Sequence, residues 1–198
     1  MQSINKLDVL LKQSKKLFHT QDLELLWNIN NKNTLYSTIN RYLKKGYLIQ
    51  IYRGFYSTVE LNTINATELG TSAIHDYCYL STESVLAKDG IIFQSVPHFT
   101  FCSSKNKKIN INGTSFISRK LKPAFLFQSA GILEQQNYKE ASPERAVADM
   151  LYFNSKYHFD LRNAIDWERV KTIQKEVGYI WFYQVQKKLC IGASYTKY

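Results

Sequence analysis

The sequence lacks the patterns that indicate a disulfide framework or a metal site. Its 198 residues include only three cysteines and four histidines. Cys78, Cys102 and Cys190 are widely separated and form no C-x-x-C pair, whereas disulfide-rich domains and zinc sites need close, paired spacing. The histidines form no H-x-x-x-H or H-E-x-x-H pattern. We therefore expect three free thiols and no bound metal.

Long apolar runs are missing as well. No stretch approaches the roughly 18 uncharged apolar residues that a membrane span needs. The opening residues, MQSINK, have no apolar segment behind a basic start and therefore do not resemble a signal peptide. We expect a cytoplasmic protein with no membrane partner. Its 44% hydrophobic and 14% aromatic content is too high for a disordered chain and can fill the core of one large domain or two small ones.

Common catalytic motifs are also absent. The chain has no glycine-rich phosphate loop and no G-x-S-x-G turn. The segment GTS at 113–115 is similar to the start of a nucleotidyltransferase loop, but no paired acids follow it to hold two Mg²⁺ ions. The acids most open to a catalytic interpretation are Asp149, beside an apolar helix face, and Asp160 and Asp166, at capping positions. The sequence thus predicts neither an enzyme nor a cofactor.

Positive charge is what the sequence has in excess. The formal net charge is +10. Residues 1–58 contain nine Lys and Arg against three Asp and Glu, whereas the remaining 140 residues contain seventeen against thirteen. Because a basic segment attracts polyanions, this distribution favours a nucleic-acid partner for the N-terminal part. A surface that is basic for solubility is the alternative.

Three helices are predicted at the N-terminus. The first covers residues 3–14 with Ser3 as its cap, and a short second helix follows a cap at Thr20. The third covers residues 34–45 and ends at Gly46.

A β-hairpin follows the third helix. Residues 47–52 and 55–58 are rich in β-forming residues, and Arg53 and Gly54 form the turn between them. Three helices followed by a hairpin is the order of a winged helix-turn-helix. In that module the third helix enters the major groove of DNA, and the hairpin tip reaches the adjacent backbone or minor groove. A winged helix that docks another protein is the alternative.

The predicted third helix has one apolar face and one polar face. Leu35, Ile39 and Leu43 recur at helical spacing on the apolar side. On the other side lie residue types that contact DNA: Asn pairs with adenine, Arg with guanine, and Lys and Ser contact phosphates. A plain solvated helix face is the alternative. The candidate DNA-binding residues of the helix and the hairpin tip are Thr34, Ser37, Asn40, Arg41, Lys44, Lys45 and Arg53.

The rest of the chain predicts a second domain of mixed α and β structure. We therefore expect an α+β protein with a winged helix-turn-helix at 1–59 and a C-terminal domain at 60–198. Within this second domain, basic residues add a positive surface of their own. They are Lys105, Lys107, Lys108, Arg119, Lys120 and Lys122.

Local signals place several elements in the second domain. Asn-Gly at 112–113 predicts a hairpin turn, and residues 125–127 suggest a further strand. Ser142, followed by Pro and Glu, predicts the start of a helix, as does Asp166 further on. A last helix is expected over residues 180–189.

The chain resembles the AbiEi family, the antitoxins of type IV toxin–antitoxin systems, over most of its length. The first two segments that carry the resemblance occur in many winged helices, whereas the last two, in this order and at this distance, are more specific. The segments are YLKKGYL at 42–48, YRGFY at 52–56, YLSTESVL at 79–86 with Gly90, and ASPERAVAD at 141–149.

The resemblance implies a protein with two activities. Its winged helix would repress transcription by binding double-stranded DNA at its own promoter, with a dimer on DNA left open. Its C-terminal domain would counteract a nucleotidyltransferase-like toxin from the same operon. Two alternatives remain: a winged-helix regulator without a toxin partner, and a DNA-modifying enzyme with a DNA-binding arm.

Overall fold

The computed structural model describes residues 5–179 and divides the chain into two compact units, Met1–Ala73 and Ile74–Tyr198. Each unit combines helices with a β-sheet, so the fold is α+β. The predicted cap at Ser3 and the predicted last helix at 180–189 lie outside the described residues.

The first unit contains four helices and a three-stranded antiparallel sheet. Its elements are α1 (Lys6–Leu11), β1 (Leu17–His19), α2 (Thr20–Trp27), α3 (Lys32–Lys44), β2 (Ile49–Tyr52), β3 (Phe55–Ser57), a 3₁₀ turn (Leu61–Thr63) and α4 (Ala66–Ile74), whose last residue belongs to the second unit. The strand order is β1-β3-β2, so the strand before α2 pairs with the far strand of the hairpin.

The helix α4 belongs almost entirely to the first unit, so this unit continues past residue 59, the boundary expected from the sequence. Two polar contacts join α4 to the β-strands. The imidazole Nε2 of His19 lies 2.8 Å from the carbonyl oxygen of Ser72, and the hydroxyl of Tyr52 donates to the carbonyl of Ala73 at 3.4 Å.

The start of α2 differs from its prediction. Thr20 is not the cap but the first helical residue, and His19 occupies the capping position. The carboxylate of Asp22 accepts a hydrogen bond from the backbone N–H of His19 at 2.8 Å, so the cap is stabilised from within the helix. The N–H of Thr20 instead donates to the carbonyl of Gly54 at 3.0 Å, which fixes the hairpin turn against α2.

The core of the first unit forms around the apolar face of α3. Leu35 and Ile39 are buried, as the helical spacing predicts. Tyr42 is buried beside them, and its ring meets the ring of Trp27 edge to face with centroids 5.3 Å apart. This packing sets which side of α3 remains in contact with solvent.

The second unit is built on a six-stranded mixed sheet with helices around it. Its strands are β4 (Cys78–Leu80), β5 (His98–Ser103), β6 (Lys107–Ile111), β7 (Thr114–Lys120), β8 (Ile132–Glu134) and β9 (Lys139–Ala141). Its helices are α5 (Glu83–Lys88), α6 (Pro123–Leu126), α7 (Pro143–Phe153) and α8 (Trp167–Val177), with a 3₁₀ turn at Arg162–Ala164. The strand order is β6-β7-β5-β4-β9-β8, and the pairs β5–β7 and β4–β9 are parallel.

Three local predictions for this unit are confirmed. Asn112 and Gly113 form the turn between β6 and β7, both with positive φ. The side chain of Ser142 accepts a hydrogen bond from the N–H of Arg145 and caps α7. The carboxylate of Asp166 caps α8 in the same way.

The strand predicted at 125–127 is wrong. Residues 125 and 126 end the short helix α6, which starts at Pro123 and buries Leu126 completely, and Phe127 is its C-cap. Proline has a fixed φ that suits the first turn of a helix and no N–H to donate to a strand. One helical turn is therefore the conformation that both satisfies Pro123 and brings Leu126 into the core.

The centre of the second unit is a fully buried ion pair. The guanidinium of Arg145 donates to the carboxylate of Asp149 at 2.8 Å, and neither side chain is exposed to solvent. Arg145 also donates to the hydroxyl of Tyr79, and Asp149 accepts from the hydroxyls of Ser81 and Tyr179. Arg145 further donates to backbone carbonyls within residues 125–130, so the charges are well satisfied.

The protonation states follow from this burial. Burial raises the pKa of the Tyr79 and Tyr179 hydroxyls well above their usual value, and the charge of Asp149 adds to the effect. Burial alone would lower the pKa of Arg145, but its interactions with Asp149, Tyr79 and Tyr179 together outweigh the burial and keep that pKa above its usual value. Burial also raises the pKa of the Cys102 thiol, which lies 3.7 Å from Asp149. Both tyrosines and the thiol are therefore neutral while Arg145 is charged.

We predict that Arg145→Met destabilises the protein by about 3–5 kcal/mol, because it leaves the charge of Asp149 buried without its partner. Urea unfolding followed by circular dichroism measures the change. Glu134→Gln is the matched control, since it breaks an ion pair whose carboxylate is exposed, and its unfolding midpoint should stay near that of the wild type. An unchanged midpoint for Arg145→Met would show that the pair does not hold the unit together.

Candidate nucleic-acid interface

The side of α3 that faces away from the core is mostly polar. The preceding helix α2 ends at Asn28, whose backbone is in the left-handed conformation (φ 50°). Asn31 then caps α3, because its side chain accepts a hydrogen bond from the N–H of Thr34 at 3.1 Å. This cap starts the helix at Lys32, two residues before its predicted start at 34. All seven predicted site residues are exposed: Thr34, Ser37, Asn40, Arg41, Lys44, Lys45 and Arg53.

Positive charge on this surface is not neutralised by neighbours. The helix α3 contains no acidic residue. Within the described part of the chain, none of Arg41, Lys44, Lys45 and Arg53 takes part in an ion pair. The guanidinium of Arg41 lies 5.6 Å from the centre of the Tyr42 ring, which supports it at the edge of the core without cancelling its charge.

The uncharged residues of this surface differ in how far they are already engaged. The hydroxyl of Thr34 lies 3.4 Å from the capping oxygen of Asn31 and can donate to it. Ser37 and Asn40 make no side-chain hydrogen bond within residues 5–179. Their donors and acceptors are therefore available to a ligand, whereas Thr34 mainly supports the start of the helix.

Sequence reasoning missed three exposed members of this surface. Lys32 and Asn33 lie in the first turn of α3, ahead of the predicted start of the helix, and Tyr36 lies between two predicted residues. The signal that could have found the first two is Asn31, because an Asn before a helical segment is a preferred cap. Tyr36 carried no such signal, since an aromatic residue in an amphipathic helix is ordinarily assigned to the core.

The tip of the β2–β3 hairpin presents a second cation. Tyr52 pairs with Phe55, so Arg53 and Gly54 are the two residues of the turn, as predicted. Gly54 has φ of 89°, a conformation that favours glycine, and its carbonyl accepts from the N–H of Thr20. This contact holds the turn while the Arg53 side chain extends into solvent.

The basic residues of the second unit are only partly available. Lys107 donates to the backbone carbonyl of Ile74, and Arg119 forms an ion pair with Glu83. The exposed lysines of this set are Lys105, Lys108, Lys120 and Lys122. The α3 surface and the hairpin tip therefore make the more complete candidate interface.

The three acids considered for catalysis all have structural partners. Asp149 is the buried partner of Arg145, and Asp166 caps α8 as expected. Asp160 caps no helix; its carboxylate accepts from the N–H of Phe93 at 2.8 Å and joins two loops. Among residues 5–179, no group of three or more His, Cys, Asp or Glu side chains could hold a metal ion.

Two further properties of the described residues bear on the candidate sites. Cys78 and Cys102 are both buried, and Cys190 lies outside the described residues. None of the helices described is both long enough and apolar enough to cross a membrane.

Comparisons with known proteins give a distant structural likeness. Neither a protein-family model nor a curated protein matches the chain. Among solved structures, the crystal structure of the RV2827C protein from Mycobacterium tuberculosis is similar at 11% sequence identity and a TM-score of 0.49. The likeness covers 87% of this chain and 73% of that chain. The candidate interface therefore rests on its own geometry and charge.

If the hairpin tip contacts the DNA backbone, as the sequence predicts, Arg53→Ala should weaken binding to double-stranded DNA and reduce the slope of log affinity against log salt by about one unit, because one phosphate contact would be lost. Fluorescence anisotropy across a salt series measures both. Lys12→Ala, which removes an exposed charge already paired with Asp8, should leave the slope as it is. Equal slopes for Arg53→Ala and the wild type, with an unchanged footprint, would mean that the hairpin tip does not contact DNA.

Proposed function

We propose that the first unit is a winged helix-turn-helix that binds double-stranded DNA, and that the protein represses transcription from its own promoter. In this proposal α3 is the recognition helix that enters the major groove, and the β2–β3 hairpin is the wing. The observation that carries the proposal is the exposed, acid-free face of α3, on which Asn40, Arg41 and Lys44 are without ion-pair or hydrogen-bond partners in the described residues.

The residue types on this face suit the two tasks of DNA recognition. Amide and guanidinium groups read base edges, and lysines and hydroxyls hold phosphates. The apolar side of α3 packs in its own core, where Leu35 and Ile39 are buried and Leu43 is partly buried, so the interface has little need of a hydrophobic partner. This favours DNA over the alternative of a protein-docking winged helix.

We further propose that the second unit neutralises a nucleotidyltransferase-like toxin encoded in the same operon. The support is the resemblance to AbiEi antitoxins over 79–86 and 141–149. These two segments meet in the buried network, where Tyr79 accepts from Arg145 and Ser81 donates to Asp149. Four of the residues that carry the resemblance thus belong to the buried network at the centre of this unit.

Neutralisation by binding, not by catalysis, is the mode that we propose for the second unit. The acids with the best claim to a catalytic role are engaged in an ion pair, a loop contact and a helix cap. A regulator without a toxin partner remains the alternative function, and the experiments below separate the two.

For DNA recognition, we expect Arg41→Ala to weaken binding to the protein's own promoter by about 1–3 kcal/mol while leaving binding to unrelated DNA nearly unchanged. Lys44→Ala should weaken binding to all sequences alike and reduce the salt slope by about one unit. Arg41→Lys is the informative third variant, because lysine keeps the charge but cannot make the bidentate contact with guanine.

These effects are measured by anisotropy with promoter and scrambled duplexes, and Lys12→Ala, at the C-cap of α1, again serves as the control. Arg41→Lys should lose specificity and keep non-specific affinity. If the Arg41 and Lys44 double variant binds the promoter as tightly as the wild type, α3 is not the recognition helix.

For toxin neutralisation, the full chain carrying Arg41→Ala and Lys44→Ala should still protect cells when it is expressed from a constitutive promoter together with the neighbouring gene. The reason is that both substitutions lie in the first unit and on its surface. Growth measures protection, and a reporter fused to the native promoter measures repression, which should be lost.

The matched control is Arg145→Met, which disturbs the second unit and should lose protection. Loss of protection in the α3 double variant would mean that protection acts only through repression. A neighbouring gene that does not slow growth would support the regulator without a toxin partner.

A further inference from the structure

The exposed face of α3 carries one aromatic side chain among its polar residues. Tyr36 is 47% exposed, whereas the adjacent Leu35 is 1% exposed and belongs to the core. Single apolar side chains are common on protein surfaces, so exposure alone decides nothing. The position of Tyr36 and its lack of partners are what single it out.

Packing accounts for the other tyrosine of this helix but not for Tyr36. The ring of Tyr42 meets the rings of Trp27 and Tyr47 edge to face, with centroids 5.3 and 5.8 Å away. Tyr36, by contrast, makes no ring contact, cation–π contact or side-chain hydrogen bond within residues 5–179. Within the described residues, its ring and hydroxyl therefore have no specific aromatic or hydrogen-bonding partner.

Tyr36 also shares its stripe of the helix with a candidate base-reading residue. Tyr36 and Asn40 are four residues apart and therefore on the same side of α3. At 1.5 Å per residue they are separated by about 6 Å along the axis. Since base pairs rise by about 3.4 Å, a recognition helix that lies along the major groove would bring these side chains to bases about two steps apart.

Within the major groove, the group that offers an apolar contact is the 5-methyl of thymine. We propose that Tyr36 is a specificity-determining residue whose ring packs on the methyl group of a thymine about two base pairs from the base that Asn40 contacts. This inference rests on the proposed function of α3. It adds a preference for thymine at one position of the operator.

The test uses the full chain and a binding site selected from random double-stranded DNA. Each thymine of that site is replaced in turn by uracil, which removes the methyl group and keeps the hydrogen bonds of the base pair. One replacement should weaken the wild type about fourfold, the effect of losing one buried methyl group. Tyr36→Ser should weaken binding to the original site to the same degree and should be insensitive to that replacement.

Tyr36→Phe is the matched control, because it keeps the ring and removes the hydroxyl. It should bind as the wild type does and remain sensitive to uracil. The proposal would be overturned if uracil weakened the wild type and Tyr36→Ser equally at every thymine position. It would also be overturned if no uracil replacement weakened the wild type. Weak binding by Tyr36→Phe with no uracil effect would overturn it in favour of a phosphate contact through the hydroxyl.

The failure of this inference can be told apart from the failure of the proposed function. If Arg41→Ala and Lys44→Ala weaken DNA binding while uracil has no effect, α3 binds DNA but Tyr36 does not read thymine. If random selection enriches no sequence and these variants change nothing, both are wrong. Thermal unfolding of each variant shows that the exposed substitutions leave the fold intact.

Discussion

One buried charge pair determines how the second unit can be assembled. Removing Arg145 and Asp149 from water carries a large desolvation cost, which is offset only if nearly every donor and acceptor of the pair is satisfied. The guanidinium meets this condition through Asp149, Tyr79 and the backbone carbonyls of residues 125–130. The requirement links α7, which carries both charges, the central strand β4, which supplies Tyr79, and the segment 125–130, which supplies the carbonyls.

The first unit follows the opposite rule, with its charges on the outside and an apolar interior. Leu35 and Ile39 orient α3 by burying one side of it, and the same packing leaves Arg41 and Lys44 on the other. A surface fixed in this way needs little rearrangement before it meets a ligand, which lowers the entropy cost of binding. The affinity of such a surface for DNA would depend on charge and therefore on salt.

The hairpin is coupled to the helices by hydrogen bonds and not only by chain connectivity. The strand β1 pairs with β3, and the N–H of Thr20 binds the carbonyl of Gly54. The start of α2 and the turn that presents Arg53 are therefore held together. In the proposed function this coupling would fix the distance between the wing and the helix that precedes α3, so that both could contact one duplex in a single register.

Several elements of this protein were determined by short-range signals in the sequence. Ser142 with its following proline begins α7, Asp166 begins α8, and Asn112-Gly113 turns the β6–β7 hairpin, because caps and turns depend on neighbouring residues. The amphipathic spacing of α3 likewise separates its core side from its outer side, because helical periodicity is a property of the segment alone.

Other features were decided only by tertiary structure. The strand β9 was not predicted, since it pairs through Glu140 with Leu80, a residue far away in the chain, and β8 pairs, among the described residues, only with β9. The strand predicted at 125–127 was wrong because a short apolar run fits a buried strand and a buried helical turn equally well, and the segment is helical up to Leu126, which is completely buried. Arg145 is the clearest case. Its residue type predicts a surface position, and it is buried because Tyr79, 66 residues earlier, and Asp149 complete its hydrogen bonds only in the folded chain.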